Sequence, residues 1–267
     1  MKILLTILFI SVYSTLLYIY LHKKTHIRLN YLYKDNIINV LLCLICLYFI
    51  ITKLSLNVFT LIIVMFGLVP LMLIFISALR FYRIPLRRVK AANDEIVSPA
   101  DGNVIYIKKI DNGEIPISIK NGKIASLTEF VNTGILDTPC WLIGINMTPF
   151  DVHRNCSPID GKIILNKHYY GNFLSLKKVE ALIQNERNTI VISSKKGKIG
   201  VVQTASRLVR RIVSFKNEGE LLRQGDWFGM IKFGSQVDII LPISCEINIK
   251  LKQQVYAKNT IIAKWLN

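Results

Sequence analysis

Acidic residues are in short supply in this 267-residue chain. It has 17 Asp and Glu against 34 Lys and Arg, for a formal net charge of +17. That imbalance suits a partner rich in negative charge, either a nucleic acid or an anionic bilayer surface. Histidine is scarcer still, with four in all. His22 and His26 fall in a basic stretch near the start, so imidazole chemistry elsewhere rests on His153 and His168. The five cysteines form no disulfide framework: Cys43 and Cys46 lie in an apolar run, and Cys140, Cys156 and Cys245 are scattered. The C-x-x-C spacing of Cys43 and Cys46 lacks the βαβ surroundings of a redox motif and reads as two small residues in a membrane helix. A reducing, cytoplasmic setting follows for the globular part. The sequence carries no zinc-type ligand spacing, P-loop, dinucleotide fingerprint or G-x-S-x-G elbow. No metal site is expected.

Apolar residues are abundant, at 52% with a mean hydropathy of +0.40, which is too apolar for an ordinary soluble domain. Ile3 to Leu21 is long enough to span a bilayer. With only Lys2 ahead and no small-x-small cleavage pattern, it reads as an anchor and not as a removed signal peptide. Ile38 to Thr52 is shorter, and Leu54 to Phe81 is long and interrupted by Pro70. Lys53 between them suggests a tight hairpin turning near Lys53 to Asn57, giving two or three transmembrane helices. Lys23, Lys24, Arg28 and Lys34 flank the first run, and Arg80, Arg83, Arg87, Arg88 and Lys90 follow the last. By the positive-inside rule both stretches, and the domain beyond them, lie on the cytoplasmic side. The second stretch is expected to sit against anionic headgroups, and that juxtamembrane position favours a bilayer over nucleic acid.

The expected division is a membrane region at 1–90 and a globular domain at 91–267. Beyond Ala91 the pattern changes to short β-type runs: Val104 to Ile110, Trp141 to Met147, Lys162 to Leu165, Thr189 to Ser193, Val237 to Leu241 and Glu246 to Leu251. Asp101-Gly102, Asp111-Asn112-Gly113, Asn121-Gly122 and Asp160-Gly161 punctuate them as turns. Leu174 to Gln184 reads as a short helix with Leu176, Val179 and Ile183 on one face. The expectation is a mainly β domain of sandwich or barrel type with minor helix, behind the N-terminal membrane helices.

Near the C-terminus stands KFGSQVDIILP, Lys232 to Pro242. The plain reading of its Gly-Ser pair is a turn. The chemical alternative is specific: a serine hydroxyl can attack the preceding carbonyl when the peptide is strained and a base takes its proton. Glycine suits the position ahead of it, having no side chain to block attack. The resulting ester can eliminate to dehydroalanine, which hydrolyses to a pyruvoyl group.

FGS followed by VDIILP resembles the self-cleavage site of phosphatidylserine decarboxylases. Further segments agree in order: IVSPADGNV (Ile96 to Val104), FDVHRNCSPIDGKI (Phe150 to Ile163), HYYGNF (His168 to Phe173), NERNTIVI (Asn185 to Ile192), QTASRLVRRIV (Gln203 to Val213) and GDWFGMIKFGS (Gly225 to Ser235). The likeness covers residues 80 to 267 and is to the short, bacterial type.

That resemblance implies cleavage between Gly234 and Ser235 into a β chain of 1–234 and an α chain of 235–267, which stay associated. Ser235 becomes the pyruvoyl cofactor. It implies roles for Asp101 and His153 in processing or decarboxylation, with Asp101 able to orient an imidazole. The reaction implied converts phosphatidylserine to phosphatidylethanolamine through a Schiff base to the pyruvoyl carbonyl, with His153 returning the proton. Arg207, Arg210 and Arg211 are candidates for substrate carboxylate or phosphate, and His168 is a candidate pocket residue. Association into an oligomer is compatible with this reading. The chain departs from the longer family members in one place, where Cys156 stands at the position of their second histidine. Either His153 does both jobs, or Ser235 is activated by strain and another base. Two other readings stand beside this one: a membrane serine hydrolase using Ser235, His153 and Asp101, and a non-catalytic membrane domain that binds anionic lipid.

Overall fold

A computed structural model describes residues 2–25, 29–54, 56–118, 124–131, 133–172, 174–176, 180–206, 211–232 and 235–266. The described chain divides into two compact units, one of residues 1–83 with 148–150, the other of residues 84–147 with 151–267.

The first unit contains helices α1 (Lys2–Thr25), α2 (Leu29–Lys53) and α3 (Val58–Tyr82). Each contains a stretch long and apolar enough to cross a membrane: Leu4–Lys24, Leu32–Lys53 and Val58–Tyr82. The hairpin expected after Lys53 is present, and Asn57 caps α3 by accepting from the Thr60 backbone N–H at 2.8 Å. The second helix is longer than its apolar run, because Asp35, Asn36 and Asn39 interrupt the hydropathy without ending the helix. Their polar groups are met inside the bundle. Asp35 takes the guanidinium of Arg80 through both carboxylate oxygens. Asn36 accepts from Ser14 Oγ at 2.5 Å and donates to Thr15 Oγ1 at 2.8 Å, while Asn39 donates to Ser14 Oγ at 2.9 Å. Phe150 is buried in this unit beside Tyr18 and Leu32.

The second unit opens with β1 (Glu95–Val97), β2 (Gly102–Ile110) and a hairpin of β3 (Glu114–Ser118) and β4 (Ile124–Ser126). After α4 (Leu127–Val131) come β5 (Cys140–Met147), β6 (Arg154–Cys156) and β7 (Gly161–Tyr169). The one-turn α5 (Ala181–Gln184) precedes β8 (Arg187–Ser193), β9 (Lys198–Ala205) and β10 (Arg211–Ser214). The chain ends with β11 (Leu221–Leu222), β12 (Trp227–Lys232), β13 (Ser235–Pro242), β14 (Cys245–Ile247), β15 (Gln254–Val255) and β16 (Ile261–Trp265). Eight strands form one antiparallel sheet in the order β11-β7-β8-β9-β13-β5-β2-β15, and two three-stranded sheets, β1-β16-β14 and β10-β12-β6, accompany it.

Period-2 alternation explains the layering. Val237, Ile239 and Leu241 of β13 enter a large core with Ile143 and Ile145 of β5 and Ile199 and Val201 of β9. Ile240 goes to the other face with Leu142, Val202 and Phe130. The mainly β expectation holds. Two local expectations do not. Among the described residues of Leu174 to Gln184 only Ala181–Gln184 is helical, with residues 177–179, Val179 among them, outside the described residues; the Leu174 amide is held by Asn185 Oδ1 at 2.8 Å. Glu246 to Leu251 is strand only as far as Ile247, since Lys252 turns the chain with a φ of 64°. Asn121 and Gly122 lie outside the described residues.

Candidate active site

The sheet brings distant parts of the chain to one end. Ser235 opens β13 between two neighbours, in register with Met147 of β5 on one side and Ala205 of β9 on the other. The start of β8 (Arg187) and the end of β7 (Tyr169) lie further along the same end, and Asp101 immediately precedes β2 there. Gly234, the other half of the expected cleavage site, lies outside the described residues, as do Arg207 and Arg210.

His153 is fully buried in the segment between β5 and β6. Its carbonyl accepts from the Ile231 N–H at 3.1 Å, which fixes it beside β12, the strand leading to Ser235. Its Nδ1 lies 2.9 Å from the Asp151 carbonyl oxygen. Burial pulls its pKa down from 6.5 to about 4, against the opposing pull of that carbonyl and of the Asp101 charge. The ring is neutral at physiological pH.

Asp101 is equally buried. Arg87 grips it through Nη1 to Oδ1 at 2.5 Å and Nη2 to Oδ2 at 2.8 Å, and the Ala257 N–H donates to Oδ1 at 2.9 Å. Cys156 is buried with its thiol directed at the Ser98 carbonyl at 3.4 Å, and burial pushes its pKa up to about 12. A thiol held protonated in this way does not serve as a base. One residue before it, Asn155 accepts from Gln203 Nε2 at 2.7 Å. Asn188 donates to Gln203 Oε1 at 3.2 Å and to Asn166 Oδ1 at 3.1 Å, so a chain of amides runs from β6 across β9 and β8 to β7. These bonds hold the His153 segment against the strand that flanks Ser235.

A second polar cluster lies on β13 itself. Tyr106 donates a short hydrogen bond to Asp238 Oδ1, and Gln236 Nε2 lies 2.8 Å from the Tyr106 hydroxyl and 2.9 Å from Asp238 Oδ1. Tyr106 and Asp238 both register with Gly144 on the strand between them. A Cβ on Gly144 would stand 2.5 Å from the tyrosine ring, so the glycine is what lets the ring cross β5. Burial raises the Asp238 pKa to about 7 and the Tyr106 pKa well above 10.

Residues 74–263 match the family model described as phosphatidylserine decarboxylase. The chain belongs to the phosphatidylserine decarboxylase family. It is 41% identical over 187 residues to a Methanocaldococcus jannaschii protein that carries the name archaetidylserine decarboxylase proenzyme, covering 68% of this chain and 87% of that one. A Methanothermobacter thermautotrophicus protein of the same name is 36% identical over 191 residues, covering 70% and 80%. The phosphatidylserine decarboxylase proenzyme of Nitrosomonas europaea is 32% identical over 197 residues, covering 73% and 82%. The chain is therefore a decarboxylase of a family whose members are made as proenzymes.

Within that family frame the remaining candidates separate. His168, near the end of β7, is partly exposed; its Nε2 lies 3.1 Å from Glu186 Oε1 and its ring packs edge-on against Tyr170. Arg211 is exposed at the start of β10, in register with Lys232. Arg187, which sequence reasoning passed over inside NERN, is a buried guanidinium at the site end of β8 whose pKa burial lowers. Arg87 was assigned to the headgroup-facing flank, yet only 13% of its side chain is exposed and it is occupied by Asp101. A polar residue inside the apolar run VDIIL was the available signal for Asp238, since a buried strand position tolerates a carboxylate only with partners. Among the described residues, no group of three or more His, Cys, Asp or Glu gathers to hold a metal ion.

Proposed function

We propose that this chain cleaves itself between Gly234 and Ser235, and that the pyruvoyl group so formed decarboxylates a phosphatidylserine-type lipid at a membrane surface. The observation that carries the reading is the place of Ser235: first residue of a central strand, at the sheet end where the segment bearing a buried, neutral His153 is fixed to the preceding strand. The residues present fit the group, because its raw material is a serine preceded by a glycine, and the strand that leads to this pair is bonded through the Ile231 N–H to the His153 carbonyl.

In the processing step His153 Nε2 takes the Ser235 hydroxyl proton and the oxygen attacks the Gly234 carbonyl carbon. The C–N bond breaks, the freed amine of Ser235 gains the proton, and an ester remains. Loss of the Ser235 Cα proton expels the Gly234 carboxylate and leaves dehydroalanine. Its imine tautomer takes up water and releases ammonia. The pyruvoyl carbonyl supplies an electrophile for the lipid's amine and a sink for the electrons released as CO₂ departs. A proton taken up from solvent passes through His153 to the substrate carbon, leaving the imidazole neutral again. Arg187 and Arg211 offer guanidinium forks for carboxylate or phosphate. The three apolar helices tether the domain to the bilayer, on the cytoplasmic side by their basic flanks, raising the effective concentration of a substrate that does not leave the membrane.

Intact-mass analysis of the purified protein tests this. The expected result is a fragment of residues 235–267 blocked by a carbonyl that hydroxylamine titrates, absent in Ser235→Ala. A Ser235→Ala chain that still cleaved and decarboxylated would sink the proposal, and an intact active chain would point to a hydrolase.

A further inference from the structure

We propose that Arg87 is a positioning residue of the self-processing machinery, acting through Asp101; the inference rests on the processing reading above. Asp101 is 1% exposed, and a carboxylate so deeply buried stays charged only when it is paired. Its pairing is unusually complete. The two guanidinium nitrogens reach different oxygens, a geometry lysine cannot reproduce, and the Ala257 N–H adds a third donor.

The fork is itself held. Arg87 Nη1 also donates to the Ala257 carbonyl at 3.1 Å, and the guanidinium carbon lies 5.5 Å from the Tyr256 ring centroid. Arg87 and Asp101 fall within 1–234, whereas Tyr256 and Ala257 fall within 235–267. The cluster therefore ties together the two products of cleavage. The segment that leads into Asp101 is bonded to the strand that follows His153. The Cys156 N–H donates to the Pro99 carbonyl at 2.9 Å and the Cys156 thiol to the Ser98 carbonyl at 3.4 Å, which brings the Asp101 charge near the base, with Lys258 a second cation beside Arg87 close to Cys156. Asp151 and Arg154 flank His153 in sequence, and Lys232 follows the Ile231 amide bonded to it.

Without its guanidinium the buried Asp101 anion loses the two-nitrogen partner that stabilises its charge, so a chain lacking Arg87 depends on high pH to keep that charge. The experiment follows release of the 235–267 fragment from freshly translated full-length chain, supplied with anionic liposomes, between pH 5.5 and 9. At pH 6 Arg87→Gln is expected to process about tenfold more slowly than the natural chain and to recover toward it by pH 9. Arg87→Lys, which keeps the charge, should follow the natural pH profile with a rate within about threefold. Arg87→Gln combined with Asp101→Asn should be no slower than Asp101→Asn alone, since Arg87 acts through that carboxylate. An Arg87→Gln profile parallel to the natural one overturns the inference. So does a double variant slower than Asp101→Asn, a comparison that stands even where Arg87→Gln fails to fold. A natural chain that never releases the fragment is a different result and overturns the processing reading itself.

Discussion

His153 Nδ1 and the carbonyl oxygen of Asp151 lie 2.9 Å apart, so the imidazole is oriented by backbone two residues away. A carbonyl oxygen can only accept, which puts the proton on Nδ1 and the basic lone pair on Nε2. The group that sets the tautomer is backbone, which no substitution of the Asp151 side chain removes.

The first prediction concerns His153 as base. His153→Gln should slow fragment release by about 10²–10⁴-fold, read by timed mass analysis. Because the ring is neutral above pH of about 4, processing in the natural chain should be nearly flat from pH 6 to 8 and fall only as pH approaches that value. An acid limb centred near the ordinary histidine value of 6.5 would count against this assignment.

The same depressed pKa makes a stability prediction of definite sign. The unfolded histidine binds a proton near 6.5 and the folded one near 4, so stability present above 6.5 is lost as pH falls through that window, by about 3 kcal/mol in all. Asp238 works the other way. Its folded pKa is raised from 3.8 to about 7, so the carboxylate withdraws stability as pH rises between those values. Asp238→Asn, which keeps an acceptor for Tyr106, should therefore raise Tm relative to the natural protein at pH 8 more than at pH 4.5. Thermal melts of the detergent-solubilised proteins at the two pH values decide it; an equal or reversed difference refutes the reading.

Much of this was readable beforehand, for identifiable reasons. The run Val237 to Leu241 and the mainly β character of the domain follow from β-type residues and turn signals set by local chemistry, whereas Ser235 and His153 stand out in the sequence only through the resemblance of their flanking segments and the scarcity of histidine. What was not readable depended on partners far away in sequence. Arg87 looks like any juxtamembrane cation until the fold brings it to Asp101, 14 residues on, and to Ala257, 170 residues on. Asp35 and Asn36 shortened the expected second span, because hydropathy counts a polar group as exposed whether or not another helix satisfies it.

Gly144 supplies a packing test. Gly144→Ala places a methyl 2.5 Å from the Tyr106 ring in a central strand. The expected cost is about 2 kcal/mol or more, as for other overpacked cores. Adding Tyr106→Leu should recover part of it by vacating the space, although it also removes the hydroxyl from Asp238. Denaturant unfolding of the single and double variants reads the coupling, and purely additive losses would mean that the ring and the glycine do not share that space.

The membrane helices carry the last prediction. Asp35 is fully buried, and Arg80 reaches it from α3 through both carboxylate oxygens. Removing one partner strands a charge within the bundle, whereas removing both strands none. Asp35→Leu and Arg80→Leu should each lower the detergent melting temperature and expose the helices to protease. The double variant should be the most stable of the three, because leucine is at home between apolar helices and the residual amide bonds from Asn36 and Asn39 to α1 still set the register. A double variant weaker than either single one would mean that the pair contributes more than mutual neutralisation, and would assign Asp35 and Arg80 a functional role in the membrane region.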